Sequence, residues 1–204
     1  MRATKTIGCA ILLAAAGSAG AAVNGYVGAQ IVNVDGSANF NTIQTFDDLS
    51  NYQEGGLTVK ANNFAYQWVP PGFDGTGIYY PNGGLNEQIY ITRTDGLDFS
   101  ALEFQLGNGW GQDTTYFWAA AYLDGVLQGD IDMDVAPSGS VVGFSGQFDE
   151  LRVASYNFSG DRDQHNTSIF QSTAMDNMRY GTIPAPGAAG LLAAAGLVGL
   201  RRRR

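Results

Sequence analysis

A chain of 204 residues with one cysteine, one histidine and a formal charge of −8 has room for one fully cored domain and little more. One Cys and one His exclude a disulfide framework and the usual zinc ligand sets. The charge is unevenly spread: Arg2, Lys5 and Arg201 to Arg204 are six of the 11 cations, which leaves five against 19 carboxylates in the body. A body that acidic repels nucleic acid and anionic membrane surfaces, and it stays soluble outside a cell.

The first element is a leader. Met1 to Lys5 forms a basic n-region, Ile7 to Ala16 an apolar h-region, and Ala19, Ala21 and Ala22 supply small residues for cleavage. Residues 1–22 therefore read as a signal peptide. Cys9 lies too early in the h-region to be a lipoprotein cysteine, so cleavage leaves a mature chain without a thiol.

Residues 23–181 read as one all-β domain, an antiparallel β-sandwich of jelly-roll type. The composition favours strands, with 28 Gly, 10 Tyr and 11 Phe in the chain. Ile89 and Ile91 alternate with polar or aromatic neighbours. Leu102, Phe104 and Leu106 share one side of a strand, with Glu103 and Gln105 on the other. Asp124-Gly125 separates Thr115–Leu123 from Val126–Met133, a two-residue hairpin signal. Trp118, inside that first apolar strand, reads as core. Leu151 and Val153 alternate around Arg152. Further turns fall at Pro81-Asn82-Gly83-Gly84, Thr94-Asp95-Gly96 and Pro137-Ser138-Gly139. Short strands at this spacing without helical crossovers point to a sandwich.

The chain closes on Ile183-Pro184-Ala185-Pro186, an apolar run from Gly187 to Leu200, and Arg201, Arg202, Arg203 and Arg204. Arginines held on the cytoplasmic side stop translocation. The run has 14 residues, which as a helix reach about 21 Å against a hydrocarbon core of about 30 Å. Residues 182–204 thus suit a short transmembrane helix that pauses in the bilayer until it is processed.

The Pro184-Ala185-Pro186 hinge, the short apolar run and the arginine cluster resemble the PEP-CTERM sorting signal of bacterial surface proteins, with Ala185 where the family carries Glu. The same segment type is also labelled ice-binding protein C-terminal domain, a label that implies nothing about ice. The resemblance implies signal peptidase and an exosortase-type enzyme as partners during export. It also implies transient anchoring in the inner membrane, then release to the cell surface or the extracellular polysaccharide matrix. Thr45 to Leu49, Gly55-Gly56-Leu57, Gln147 to Leu151 and Ala174 to Met178 are similar to the bodies of PEP-CTERM proteins. More distantly, they resemble jelly-roll carbohydrate-binding modules.

Catalytic chemistry has little to stand on. His165 sits in the polar loop Ser159 to Ser168, a poor place for the fixed imidazole of a nucleophilic relay. No phosphate-binding glycine motif lies between a strand and a helix, and spacing nominates no pair of carboxylates for glycoside hydrolysis. The chain reads as a non-enzyme. Asp130-Ile131-Asp132-Met133-Asp134 resembles the start of an EF-hand loop, but Val135 and Val141 occupy the Gly and Glu positions. On a strand these three aspartates instead share a solvated face or edge.

Two binding expectations remain. In jelly rolls of the carbohydrate-binding kind, the first and last strands lie side by side and often share a structural calcium. By that resemblance Asp47, Asp48, Glu54, Asp176 and Asn177 are its candidate ligands; the alternative is that such carboxylates cap turns and backbone groups. Trp68, Tyr79 and Trp110 flank Gly/Pro loops, where ring faces presented to solvent could stack on sugars. The same residues could also plug the ends of a sandwich core. The expected function is a structural or adhesive surface protein, the alternative a glycan-binding module for which calcium is a candidate stabiliser.

Overall fold

The structure is a computed structural model that describes residues 22–41, 51–61, 65–68, 77–81, 88–108, 115–135, 139–155 and 173–183. In chain order the strands are β1 (Asn24–Val27), β2 (Asn33–Ala38), β3 (Asn51–Glu54), β4 (Leu57–Ala61), β5 (Ala65–Trp68) and β6 (Ile78–Pro81). They continue as β7 (Ile89–Arg93), β8 (Phe99–Asn108), β9 (Thr115–Leu123), β10 (Val126–Val135), β11 (Ser140–Phe148), β12 (Glu150–Ser155) and β13 (Thr173–Thr182). The described residues contain no helix, hence none long and apolar enough to cross a membrane. The signal peptide and the sorting segment from Pro184 onward lie outside the described residues.

The strands form two sheets with every pairing antiparallel, as an all-β reading requires. The first runs β1-β11-β8-β13-β6-β5 and the second β10-β9-β12-β7-β4-β3. β13 pairs with β8 along one edge. It shares the other edge between β6, at Met175, and β2, from Met178 to Thr182. Alternation decides which side chains meet between the sheets. Leu102, Phe104 and Leu106 of the first sheet pack in one cluster with Phe117, Ala119, Leu151 and Val153 of the second. Phe99 stacks on Phe148 at 5.1 Å between centroids, and Phe148 meets Phe144 edge-on at 6.4 Å.

Local signals set the corners. Asp124 and Gly125 both have positive φ, 51° and 75°, the backbone that a tight two-residue hairpin between right-twisted strands demands. Gln147 to Leu151 forms a corner rather than one strand. Phe148 closes β11 in the first sheet and Glu150 opens β12 in the second. Asp149 holds the turn: its N–H donates to Tyr122 O at 2.9 Å, and its Oδ2 accepts from Asp124 N at 3.0 Å. Gly55 (φ 54°) passes so close to β2 that a Cβ there would lie 1.8 Å from Ser37 O. Only glycine fits at that crossing.

The chain between β1 and β2 crosses the outer face of the first sheet as a strap. Among the described residues β1 pairs with β11 and β2 with β13, and residues 28–32 pass over β8, which lies between them. Gly28 N donates to Val141 O at 2.8 Å on one side, and Val32 N to Thr182 O at 3.2 Å on the other.

Candidate functional site

The strap is fastened by Glu103, the polar residue in the alternating run of β8. Its Oε1 accepts the N–H groups of Gln30 and Ile31, the latter at 2.8 Å, and the hydroxyl of Tyr26 at 3.0 Å. Its Oε2 accepts Arg179 Nε at 2.8 Å and Nη2 at 2.7 Å. The carboxylate is buried. Burial alone would raise its pKa, but the Gln30 and Ile31 amides, Arg179 and Tyr26 together hold it below the ordinary glutamate value. Tyr26 responds oppositely: burial, then its hydrogen bond to Glu103, push its hydroxyl pKa up. Gly143 lets the Tyr26 ring lie flat on β11, since a Cβ at 143 would meet Tyr26 Cζ at 2.5 Å.

Beside the strap, a groove of about 410 Å³ opens between β2, β8 and β13. Its polar wall includes Asn39, Gln105, Asn177 and Arg179, and Val141 and Met178 are among its apolar residues. Two residues of β13 oppose one of β8 between Asp176 and Arg179, a β-bulge. Asn177 in that bulge has φ 47° and is exposed. Its Nδ2 reaches Gln105 Oε1 and Asp176 Oδ2, each at 3.2 Å.

The outer face of the second sheet carries an aromatic row. Tyr116, Trp118, Ala120 and Tyr122 alternate along β9, opposite in sense to Phe117, Ala119 and Ala121 of the main core. Trp118 is buried, as its apolar setting suggests, but in a separate cluster with Ala120 and Ala154 on the far side of the sheet. Arg152 of β12 lies between rings, 4.0 Å from the Tyr122 centroid and 5.4 Å from that of Tyr90. Its Nε donates to Glu150 Oε1 at 2.6 Å. Alternation alone could have exposed this row, because Tyr116, Trp118 and Tyr122 keep the same parity while Tyr90 and Arg152 each sit between core residues.

At the end of this row, Arg152, Glu150, Asp149, Thr92, Arg93 and Leu97 line a second cleft of about 410 Å³. Asp149 Oδ1 is buried there without a hydrogen-bond partner among the described residues. Asp130, Asp132 and Asp134 are exposed on edge strand β10, with Ile131, Met133 and Val135 turned inward. Asp130 Oδ2 accepts Trp118 Nε1 at 3.3 Å.

The expected sugar-binding trio does not assemble as one exposed face. Tyr79 is fully buried and packs 5.4 Å from Phe40, because its place on β6, paired through Met175 to β13, turns it into the core. Trp68 lies on β5 opposite Ile78, and Trp110 falls outside the described residues.

The calcium candidates are only partly described. Asp47 and Asp48 lie outside the described residues. Glu54 Oε2 accepts Asn39 N, Phe40 N and Tyr52 OH at 3.2, 3.0 and 2.8 Å. These bonds hold Phe40 at φ 56°. Asp176 is buried on the other sheet, and its Oδ1 accepts Asn177 N at 2.6 Å. Both carboxylates thus serve protein donors, the backbone-capping use. Among the described residues no three acidic, His or Cys side chains form a group able to hold a metal. His165 is also outside the described residues.

No protein-family model matches the chain, and no curated protein is similar to it. Among solved structures it is similar to the CBM22-1–GH10 modules of the N-terminal endo-1,4-beta-D-xylanase 10B of Clostridium thermocellum, complexed with xylohexaose. The identity is 14%, over 74% of this chain and 27% of that one, with a TM-score of 0.33. This chain thus spans about a quarter of the xylanase chain, and so faint a likeness carries no argument about what it binds.

Proposed function

We propose that the chain is an exported, non-enzymatic surface or extracellular-matrix protein, sorted through residues 182–204, whose body is a structural or adhesive module. The observation that carries the adhesive reading is the row Tyr90–Arg152–Tyr122 on the outer face of the second sheet. Tyr, Trp and Arg are the side chains that contact surfaces concentrate. Here the guanidinium is already held between two rings and Glu150, so little side-chain freedom is left to lose on contact. From β7 to β13 the strands switch sheet at every step except the β9–β10 hairpin, which supports a sandwich of jelly-roll type. Signal peptidase and an exosortase-type enzyme are the partners this reading needs during export, with extracellular polysaccharide as the surface met afterwards.

The sorting half is tested by export in a bacterial host that carries an exosortase. The full chain should be retained at the envelope or matrix, and a chain truncated before Pro184 should appear in the medium. Normal retention of the truncated chain would refute sorting through the tail.

A second reading, a glycan-binding module, is favoured by the amide-walled groove beside the strap.

A further inference from the structure

We infer that the groove between β2, β8 and β13 binds a neutral, hydroxyl-rich ligand, an oligosaccharide without charged groups, through Asn39, Gln105 and Asn177. The inference rests on the glycan-binding reading and gives it a site.

The chemistry of the wall selects the ligand. A primary amide offers an acceptor and two donors on one rigid plane, a match for adjacent sugar hydroxyls, which also donate and accept. Three such amides line the groove, and each is only partly used by protein partners. Gln105 Nε2 and Asn177 Oδ1 enter no hydrogen bond among the described residues, and Asn39 uses only Oδ1, toward Asn41 N at 3.2 Å. The half-buried Val141 gives the same groove apolar surface, as the C–H faces of a pyranose require.

Charge excludes the alternatives. Arg179 would draw an anion, but its positive charge is matched by Glu103, which takes two of its nitrogens. The rest of the body carries a large carboxylate excess that repels uronic acids and sulfated chains. An ammonium ligand would find no free carboxylate in this wall, because Glu103 already accepts from Gln30, Ile31, Tyr26 and Arg179.

Backbone strain points to the same place. Asn177 holds a left-handed conformation in the middle of a long strand, a conformation costly for most side chains and concentrated at functional positions. The bulge inserts Asn177 as an extra residue and brings its amide beside Gln105. A regular strand would place a residue of fixed parity there and lose that pairing.

The test uses the full chain on an array of neutral hexose, pentose and N-acetylhexosamine oligosaccharides, with oligogalacturonate and heparin oligosaccharides as anionic comparators. Asn177→Gly suits the left-handed backbone and removes only the amide, and Gln105→Met keeps the side-chain length without the amide. At least one neutral oligosaccharide should bind, and each variant should weaken it roughly tenfold, about the effect of losing one or two hydrogen bonds, with an unchanged melting temperature. Neutral binding that both variants retain in full would remove this groove while leaving the glycan reading intact. Silence across all neutral probes would overturn both, and tighter binding of an anionic probe would overturn the ligand class.

Discussion

Two arginine–glutamate pairs stand on opposite outer faces of this sandwich at nearly equal separations, 2.7 Å for Arg179–Glu103 and 2.6 Å for Arg152–Glu150. Their surroundings differ. The Glu103 side chain is 1% exposed and also serves two backbone amides and a tyrosine hydroxyl, whereas those of Arg152 and Glu150 are 29% and 27% exposed. Distance therefore says little about what each pair does. In the first, the carboxylate is the fastening of a strap, and its removal would strand the buried Ile31 amide and three partly buried donors. In the second, the guanidinium is a shaped part of a surface, and solvent can replace what its partner supplies.

The largest expected effect follows from breaking the buried pair. Glu103→Ala leaves the Gln30 and Ile31 amides, the Tyr26 hydroxyl and the Arg179 charge without their acceptor. Removing one member of a buried pair costs about 3–5 kcal/mol, and equilibrium denaturation in urea should show a loss of that size. A loss under about 1 kcal/mol would place this pair in the same class as Arg152–Glu150 and dissolve the contrast.

Acid should reproduce part of that loss without mutation. Glu103 has a folded pKa below its ordinary value of 4.5, so its contribution is complete above that value. It falls away as pH drops through the depressed folded pKa. Urea midpoints should therefore decline more steeply with acid below pH 4.5 in the wild type than in Glu103→Gln, which has no carboxyl to protonate. Parallel declines would mean that other carboxylates govern acid stability and that the clamp is weaker than its geometry indicates.

Much of the fold was legible because alternation and turn chemistry are local. Leu102, Phe104 and Leu106 face inward as their spacing requires, and Asp124-Gly125 makes the hairpin that its residues specify. The corner at Asp149 was not legible: Gln147 to Leu151 has the look of a continuous strand, and only the change of sheet after Phe148 reveals the break. Site residues were harder still. Tyr79 sits near a Gly/Pro loop in sequence, yet pairing with β13 turns it inward, a long-range fact that no short window contains. Glu103 could be placed on the outer face by parity. Its partners at Gln30, Ile31 and Tyr26 lie more than seventy positions away and became visible only once the strap was traced across β8. Glu54 and Asp176 were identifiable as oxygen donors, but which donor would occupy them depended on where the chain turned.

The smallest expected change in stability belongs to Arg152, and it sharpens the contrast most. Arg152→Ala removes a guanidinium from two rings and from Glu150, all of which solvent can reach. An exposed ion pair is worth about 0–1 kcal/mol and a cation–π contact at such a site about 0.5–1 kcal/mol, so the urea midpoint should move little. Adhesion should move a great deal if the row is a contact surface, because the variant uncovers two tyrosine rings and frees Glu150 to repel an approaching anionic surface. The measurement is retention of the full chain on cell-envelope polysaccharide, compared between wild type and Arg152→Ala at equal folded fraction. Weakened retention with a nearly constant midpoint would make the second sheet the working face. Unchanged retention would leave the row as packing on an outer surface, and a midpoint loss approaching that of Glu103→Ala would show that exposure is a poor guide to which of two equally short ion pairs holds the fold.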